Sequence, residues 1–154
     1  MKENGIIKLY RSAVAAIQKA KNLPLLFMRL VLAYGFYTTA SMKWQNISGV
    51  AEWFGSLGIP MPVFNAYLAA LTEAAGVILL TLGLATRLIS IPLMITMIVA
   101  IVTVHWGNGF EAGNNGFEIP LYYIIMLFVL LVNGAGRISV DYYTDRILKK
   151  RTIH

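Results

Sequence analysis

At 154 residues, 58% of them hydrophobic, with a net charge of +6 and a mean hydropathy of +0.67, the chain is more apolar than a soluble domain, where about 45–50% is usual. It contains no cysteine, which excludes disulfides, a thiolate nucleophile and iron–sulfur ligation, so any redox role has to borrow a cofactor or a partner. The length fits one small membrane bundle and no second domain.

Residues 3–21 place Ile6, Tyr10, Ala13, Val14 and Ile17 at helical spacing, with Lys8, Arg11, Lys19 and Lys21 largely on other faces. This pattern predicts an interfacial amphipathic helix over residues 1–22, lying on the inner leaflet. Pro24 suits the first turn of a new helix, and the apolar window Leu23 to Met42 is long enough to cross a bilayer. Thr38-Thr39-Ala40-Ser41 offers small residues near the end of that window. The window is long, starts after 22 residues and carries Arg29, so it reads as a retained first span and not as a cleaved leader.

Lys43 and Trp44 mark the outer end of this span. In the following loop, Val50, Ala51, Trp53, Phe54 and Leu57 fit a short helix on the bundle mouth, ended by Gly58-Ile59-Pro60. The second window, Pro62 to Ala85, carries Ala66, Ala69, Ala70, Gly76 and Gly83, small residues that let helices approach closely. Arg87 follows at a tight turn, and Leu88 to Trp106 forms the third window, with Pro92 in its first turns. The loop Gly107–Gly116 leads to the fourth window, Phe117 to Asn133, closed by Gly134-Ala135-Gly136-Arg137. The reading is therefore an all-α integral membrane protein: a four-transmembrane-helix bundle over residues 23–137, an N-terminal amphipathic helix and a basic tail over 138–154.

The basic residues set the orientation. With both termini cytoplasmic, eleven of the thirteen lysines and arginines fall inside, leaving Arg29 within a span and Lys43 outside. The positive charge thus reads as inner-membrane topology and attraction to anionic lipid, not as a nucleic-acid footprint.

A charge in hydrocarbon costs on the order of 3 kcal/mol on insertion scales, so the few ionisable residues in or at the mouths of these windows are where function is to be sought. Glu73 lies eleven residues past Pro62, roughly 16 Å deep, and Arg29 lies five past Pro24, roughly 8 Å deep from the other side. The remaining gap of about 6 Å is one an arginine can bridge, so the expectation is an Arg29–Glu73 pair. Lys43, His105 and Glu118 reach the outer level on different helices, and with Glu73 they are expected to line an outward-facing polar pocket. Glu73, His105 and Glu118 are the candidates for proton chemistry; Arg29, Lys43, Trp106 and Asn108 are the candidates for holding a ligand. A quinone ring needs donors at its carbonyl oxygens and an aromatic wall, which His105, Lys43 and Trp106 can supply. For Glu118 the competing expectation is a capping box, with Asn115 as N-cap. Met94, Met97, Ile101 and His105 share a helical face that fits copper(I) ligation, but methionine filling gaps between helices is the preferred reading, and no metal site is assigned.

Several runs together resemble the DoxX family of small four-helix membrane proteins, over about residues 23–143. They are Leu26-Phe27-Met28-Arg29-Leu30, Lys43, Trp53-Phe54-Gly55-Ser56-Leu57-Gly58-Ile59-Pro60, Leu71-Thr72-Glu73, Gly83-Leu84-Ala85-Thr86-Arg87, Thr103-Val104-His105-Trp106-Gly107-Asn108, Asn115-Gly116-Phe117-Glu118 and Gly134-Ala135-Gly136-Arg137-Ile138-Ser139-Val140-Asp141. His105-Trp106 and the Asn114-Asn115-Gly116 and Ser139-Val-Asp-Tyr runs are most similar to DoxX-like proteins encoded beside biosynthesis genes for copper-binding modified peptides, which usually have a longer loop where Gly107–Gly113 stand here. The resemblance implies quinone-linked redox assemblies, as in a thiosulfate:quinone oxidoreductase subunit. The leading expectation is a membrane subunit binding a quinone or similar small ligand in a complex with a protein partner or further copies of the chain. The alternatives are a non-enzymatic membrane partner or chaperone for a peptide-modifying or copper-handling protein, and a small transporter or proton path resting on Glu73.

Overall fold

The computed structural model describes residues 5–151. Its elements are helical: α1 (Gly5–Lys19), α2 (Leu23–Gln45), α3 (Ile47–Ser56), α4 (Pro62–Leu82), α5 (Thr86–Ala100), α6 (Glu118–Asn133) and α7 (Val140–Arg151). A single π turn, Ile101–His105, and short 3-10 turns at Trp106–Asn108 and Ala112–Asn114 join α5 to α6.

Local chemistry sets the boundaries. Pro24 and Pro62 stand in the first turns of α2 and α4, where a missing N–H costs nothing. Asn46 caps α3 by accepting from the Gly49 N–H at 3.1 Å. Gly83 ends α4 in the left-handed conformation at φ 66°, and the Leu84 N–H closes the turn onto the Leu79 carbonyl at 2.9 Å. That glycine is required twice, because a Cβ here would also collide with Arg29 Nη1.

Leu32 and Phe36 of α2, Leu80 of α4, Ile89 and Leu93 of α5, and Leu127 and Leu130 of α6 form one buried cluster. Helices α2 and α4 pack chiefly on each other, as do α5 and α6; α4 also meets α5, α6 returns to α2, and α3 lies against α4. Close approach comes from small residues: Ala66 and Ala70 of α4 are fully buried, and Gly76 sits under the Leu93 side chain.

The outside of the bundle is as apolar as the inside. Phe27, Val31, Leu68, Leu71, Ile78, Leu88, Ile95, Val102, Ile125 and Phe128 are exposed, whereas Arg29, Glu73, Thr86 and Ser90 are buried. Water would penalise so large an apolar exterior, and lipid would not. Three helical stretches, Leu23–Gln45, Pro62–Leu82 and Thr86–Asn108, are long and apolar enough to cross a membrane; α6, at 16 residues, is a shorter apolar helix of about 24 Å.

The bundle has two distinct ends. At the basic end, Asn22, the Gly83–Arg87 turn and the Gly134–Asp141 segment meet: the Arg137 N–H donates to Asn22 Oδ1 at 3.2 Å, and the Asp141 N–H to the Gly83 carbonyl at 3.0 Å. At the tryptophan end, α3 and the 107–117 loop cover the helix termini, with Trp44, Trp53 and Trp106 among them.

Candidate functional site

The expected Arg29–Glu73 pair is replaced by a different one. Lys43 Nζ donates to both oxygens of Glu73, at 3.0 and 2.9 Å, joining α2 to α4. The Glu73 side chain is 2% exposed and that of Lys43 17%, so the pair is buried but reachable from the lysine side. Side-chain direction explains the exchange of partners. In an α-helix every Cα–Cβ bond tilts toward the helix N-terminus. Helices α2 and α4 run in opposite directions, so Lys43 leans away from the tryptophan end into the bundle while Glu73 leans toward it, and the two converge. Arg29 leans the other way, toward the basic end, and diverges from Glu73 despite the small difference in depth.

Arg29 is 1% exposed. Its Nη2 donates to the Ile138 carbonyl, while Nε and Nη1 have no partner among the described residues. Gly83 and Ser139 flank the guanidinium.

The other four candidates do not join Lys43 and Glu73; they lock the 107–117 loop. The π turn breaks the spacing that would align His105 with Met94 and Met97, and both methionines pack instead against the core cluster. His105 Nδ1 donates to the Asn115 carbonyl at 2.8 Å, and Asn108 Nδ2 donates to the same carbonyl at 3.2 Å. Glu118 Oε2 accepts from the Ala112 N–H at 2.9 Å, and its Oε1 accepts from Tyr122 at 2.9 Å. The Trp106 ring stacks on Phe117 at 5.5 Å.

The capping box does not form. Helix α6 starts at Glu118, the cap position falls to Phe117, and Asn115 takes the left-handed conformation at φ 59°. Backbone bonds from Phe117 N–H to the Gly109 carbonyl and from Glu118 N–H to the Phe110 carbonyl, at 3.1 and 3.0 Å, fold the loop back on itself and turn the glutamate toward Ala112. A cap three residues long is displaced by these longer-range contacts.

Residue-type reasoning passed over Asp141. Its Oδ1 accepts from the Ala85 N–H at 2.7 Å and its Oδ2 from the Thr86 N–H at 3.0 Å, so the segment after α6 caps the start of α5. Those amides are orphaned at any helix start, and a carboxylate there also meets the favourable end of the helix dipole. The contact steadies Ala85, which holds a positive φ of 48° without being glycine. The only sequence signal is the Ser139-Val140-Asp141 run itself, because its partner lies more than 50 residues away.

Comparison with known proteins shows the family. The family profile described as DoxX matches residues 24–106. An uncharacterised protein of Haemophilus influenzae is 31% identical over 76% of this chain and 80% of its own length. A Bacillus subtilis protein named putative oxidoreductase CatD is 32% identical over 81% of this chain and 90% of its own. The Escherichia coli inner membrane protein YphA is 28% identical over 79% and 91% respectively. No solved structure gives a significant match. The matched residues run from α2 through the His105-Trp106 turn and include Arg29, Lys43 and Glu73, and the chain belongs to the DoxX family of membrane proteins.

Proposed function

We propose that this chain is the membrane subunit of a redox assembly and that Lys43 and Glu73 are the polar element with which it holds a quinone or a similar small ligand. The observation that carries the reading is the buried Lys43–Glu73 pair. A buried ion pair is weak evidence for stability: apolar residues of the same volume are often as good or better. Inside a membrane helix pair, such residues are functional candidates by default. Two of the three lysine donors go to the carboxylate, leaving one for a ligand carbonyl oxygen, and the glutamate can exchange the proton that quinone reduction takes up. A relative named as an oxidoreductase supports the redox class, and a chain without cysteine draws its electrons from a partner or a bound cofactor.

In the same proposal α2, α4, α5 and α6 all cross the inner membrane, α1 lies on the inner leaflet, and both termini are cytoplasmic. The clustering of basic residues at the ends of α1, α4, α6 and α7 supports this orientation. His105, Trp106, Asn108 and Glu118 then shape the outer rim through the 107–117 loop, and Arg29 stands apart from the ligand. Reporter fusions after Arg151 and within residues 107–116 are expected to read cytoplasm and outside respectively.

The binding test is titration of a short-chain quinone analogue into purified protein, followed by quenching of tryptophan fluorescence, Trp44 being next to Lys43 in the chain. Saturable quenching is expected in the micromolar range, weakened at least about tenfold in Lys43→Ala and in Glu73→Gln by the loss of a charge-assisted bond, and retained in His105→Ala. Absence of saturable quenching in the parent, or undiminished binding in the Lys43→Ala/Glu73→Gln double variant, refutes the reading.

A further inference from the structure

A second polar feature lies at the opposite end of the bundle from Lys43 and Glu73. Between the start of α5, the end of α6 and the first turns of α7 is a cavity of about 530 Å³, within the usual range for small-ligand sites of about 300–1,000 Å³. Arg87, Arg137, Asn22, Asn133 and Ser139 are among its lining residues. The Gly134-Ala135-Gly136 turn forms part of the wall, with both glycines at positive φ, 77° and 80°, and a Cβ on Gly134 would stand 3.3 Å from Arg87 Nε. Gly134 thus lets the backbone pass close beside a guanidinium, while Gly136 lets it pass close to Leu25 and the Asn22 carbonyl.

The charges around this cavity are unequal in what they have left to offer. Asp141 also lines it, but both its oxygens are taken by the Ala85 and Thr86 amides. Arg87 donates Nη2 to the Val132 carbonyl at 3.1 Å, and its remaining donors have no partner among the described residues. Arg137 anchors through its backbone N–H, leaving its side chain exposed. Next to Ser139 sits Arg29, buried, with two guanidinium nitrogens that have no hydrogen-bond partner among the described residues. Set against these three cations are two lining carboxylates, Asp141, whose oxygens are directed to the α5 amides and whose charge also acts on Arg29, and the exposed Asp145, which leaves a net positive charge around the cavity. Arginine is suited to phosphate because its planar fork matches two phosphate oxygens, and basic pockets between membrane helices take anionic lipid headgroups.

We infer that this cavity binds a phosphate-bearing anion, held by Arg87 and Arg137 over the buried charge of Arg29, and supplied either by an anionic phospholipid of the adjacent leaflet or by a soluble phosphate compound. The site is independent of the quinone reading, since none of its residues contacts Lys43 or Glu73.

The test is calorimetric titration of the full chain in a non-ionic detergent with dihexanoyl phosphatidylglycerol, dihexanoyl phosphatidylcholine and, at matched ionic strength, inorganic phosphate. Phosphatidylglycerol is expected to bind and phosphatidylcholine not. Binding of inorganic phosphate as well identifies a soluble source, whereas binding of phosphatidylglycerol alone identifies the leaflet. Arg87→Gln and Arg137→Gln are each expected to weaken binding at least about fivefold, the range for losing a hydrogen bond to a charged group. Because the Arg137 side chain is exposed, its replacement leaves the fold intact, and Asp145→Asn is expected to tighten binding by removing an opposing charge. The inference is overturned if neither phosphatidylglycerol nor phosphate binds, if the two lipids bind equally, if Arg137→Gln binds as well as the parent, or if Asp145→Asn weakens binding.

Discussion

The two buried charge sites of α2 solve the same problem in opposite ways. Lys43 neutralises Glu73 across the α2–α4 contact, so each ion supplies what the other needs. Arg29, fourteen residues earlier on the same helix, has no ion pair among the described residues; it donates to one backbone carbonyl from the segment after α6 and feels the charge of Asp141 only at a distance. The first site closes within two adjacent helices. The second depends on chain from the far end of the sequence, beside a cavity that exposes further donors. A buried ion pair fails when one member is removed, because the other is stranded; a buried ion leaning on a carbonyl is already short of partners, so removing it costs less.

The largest effect should therefore fall on the pair. Glu73→Ala or Lys43→Ala is expected to cost about 3–5 kcal/mol, read as a lower unfolding midpoint in mild detergent. The apolar double variant Lys43→Met/Glu73→Leu should recover most of that loss; a double effect equal to the sum of the single ones would show that the two ions are not coupled.

Next in size is Asp141, which holds the α5 start from outside the bundle. Asp141→Ala should lose about 1–2 kcal/mol, as for other helix caps, and speed proteolysis within α7 as the segment loosens. An unchanged midpoint together with unchanged proteolysis would mean that the Ala85 and Thr86 amides find other acceptors.

Arg29→Met keeps the stem and removes the guanidinium, and the loss should stay below that of Asp141→Ala, because the lost bond is offset by no longer burying a charge that is short of partners. A loss as large as that of Glu73→Ala would break the contrast between the sites and point to a carboxylate partner for Arg29. The smallest effect belongs to His105→Ala. Its bond to Asn115 is one of several holding the loop, so the midpoint should move by less than about 1 kcal/mol while hydrogen exchange at the Phe117 amide accelerates. Unaltered exchange would remove His105 from the loop lock.

What the sequence determined by itself was set by short-range rules. The proline positions and the apolar windows define helices α2 and α4 to within about three residues, the third window overruns α5 because the chain turns π at Ile101, and the aromatic and apolar run after Asn46 marks α3. It also identified which charges are buried, since Arg29 and Glu73 stand within unbroken apolar stretches. Partner choice was decided only by tertiary structure. Depth along the helices allowed Glu73 to meet either Arg29 or Lys43; the tilt of side chains toward each helix N-terminus, acting on antiparallel neighbours, selected Lys43. The local pattern around Asn115 favoured a cap, but the loop's bonds between residues 109–112 and 117–118 outweighed it. The Asp141 cap and the basic-end cavity join segments more than 40 residues apart, and no periodicity within either segment encodes a contact made only when the bundle closes.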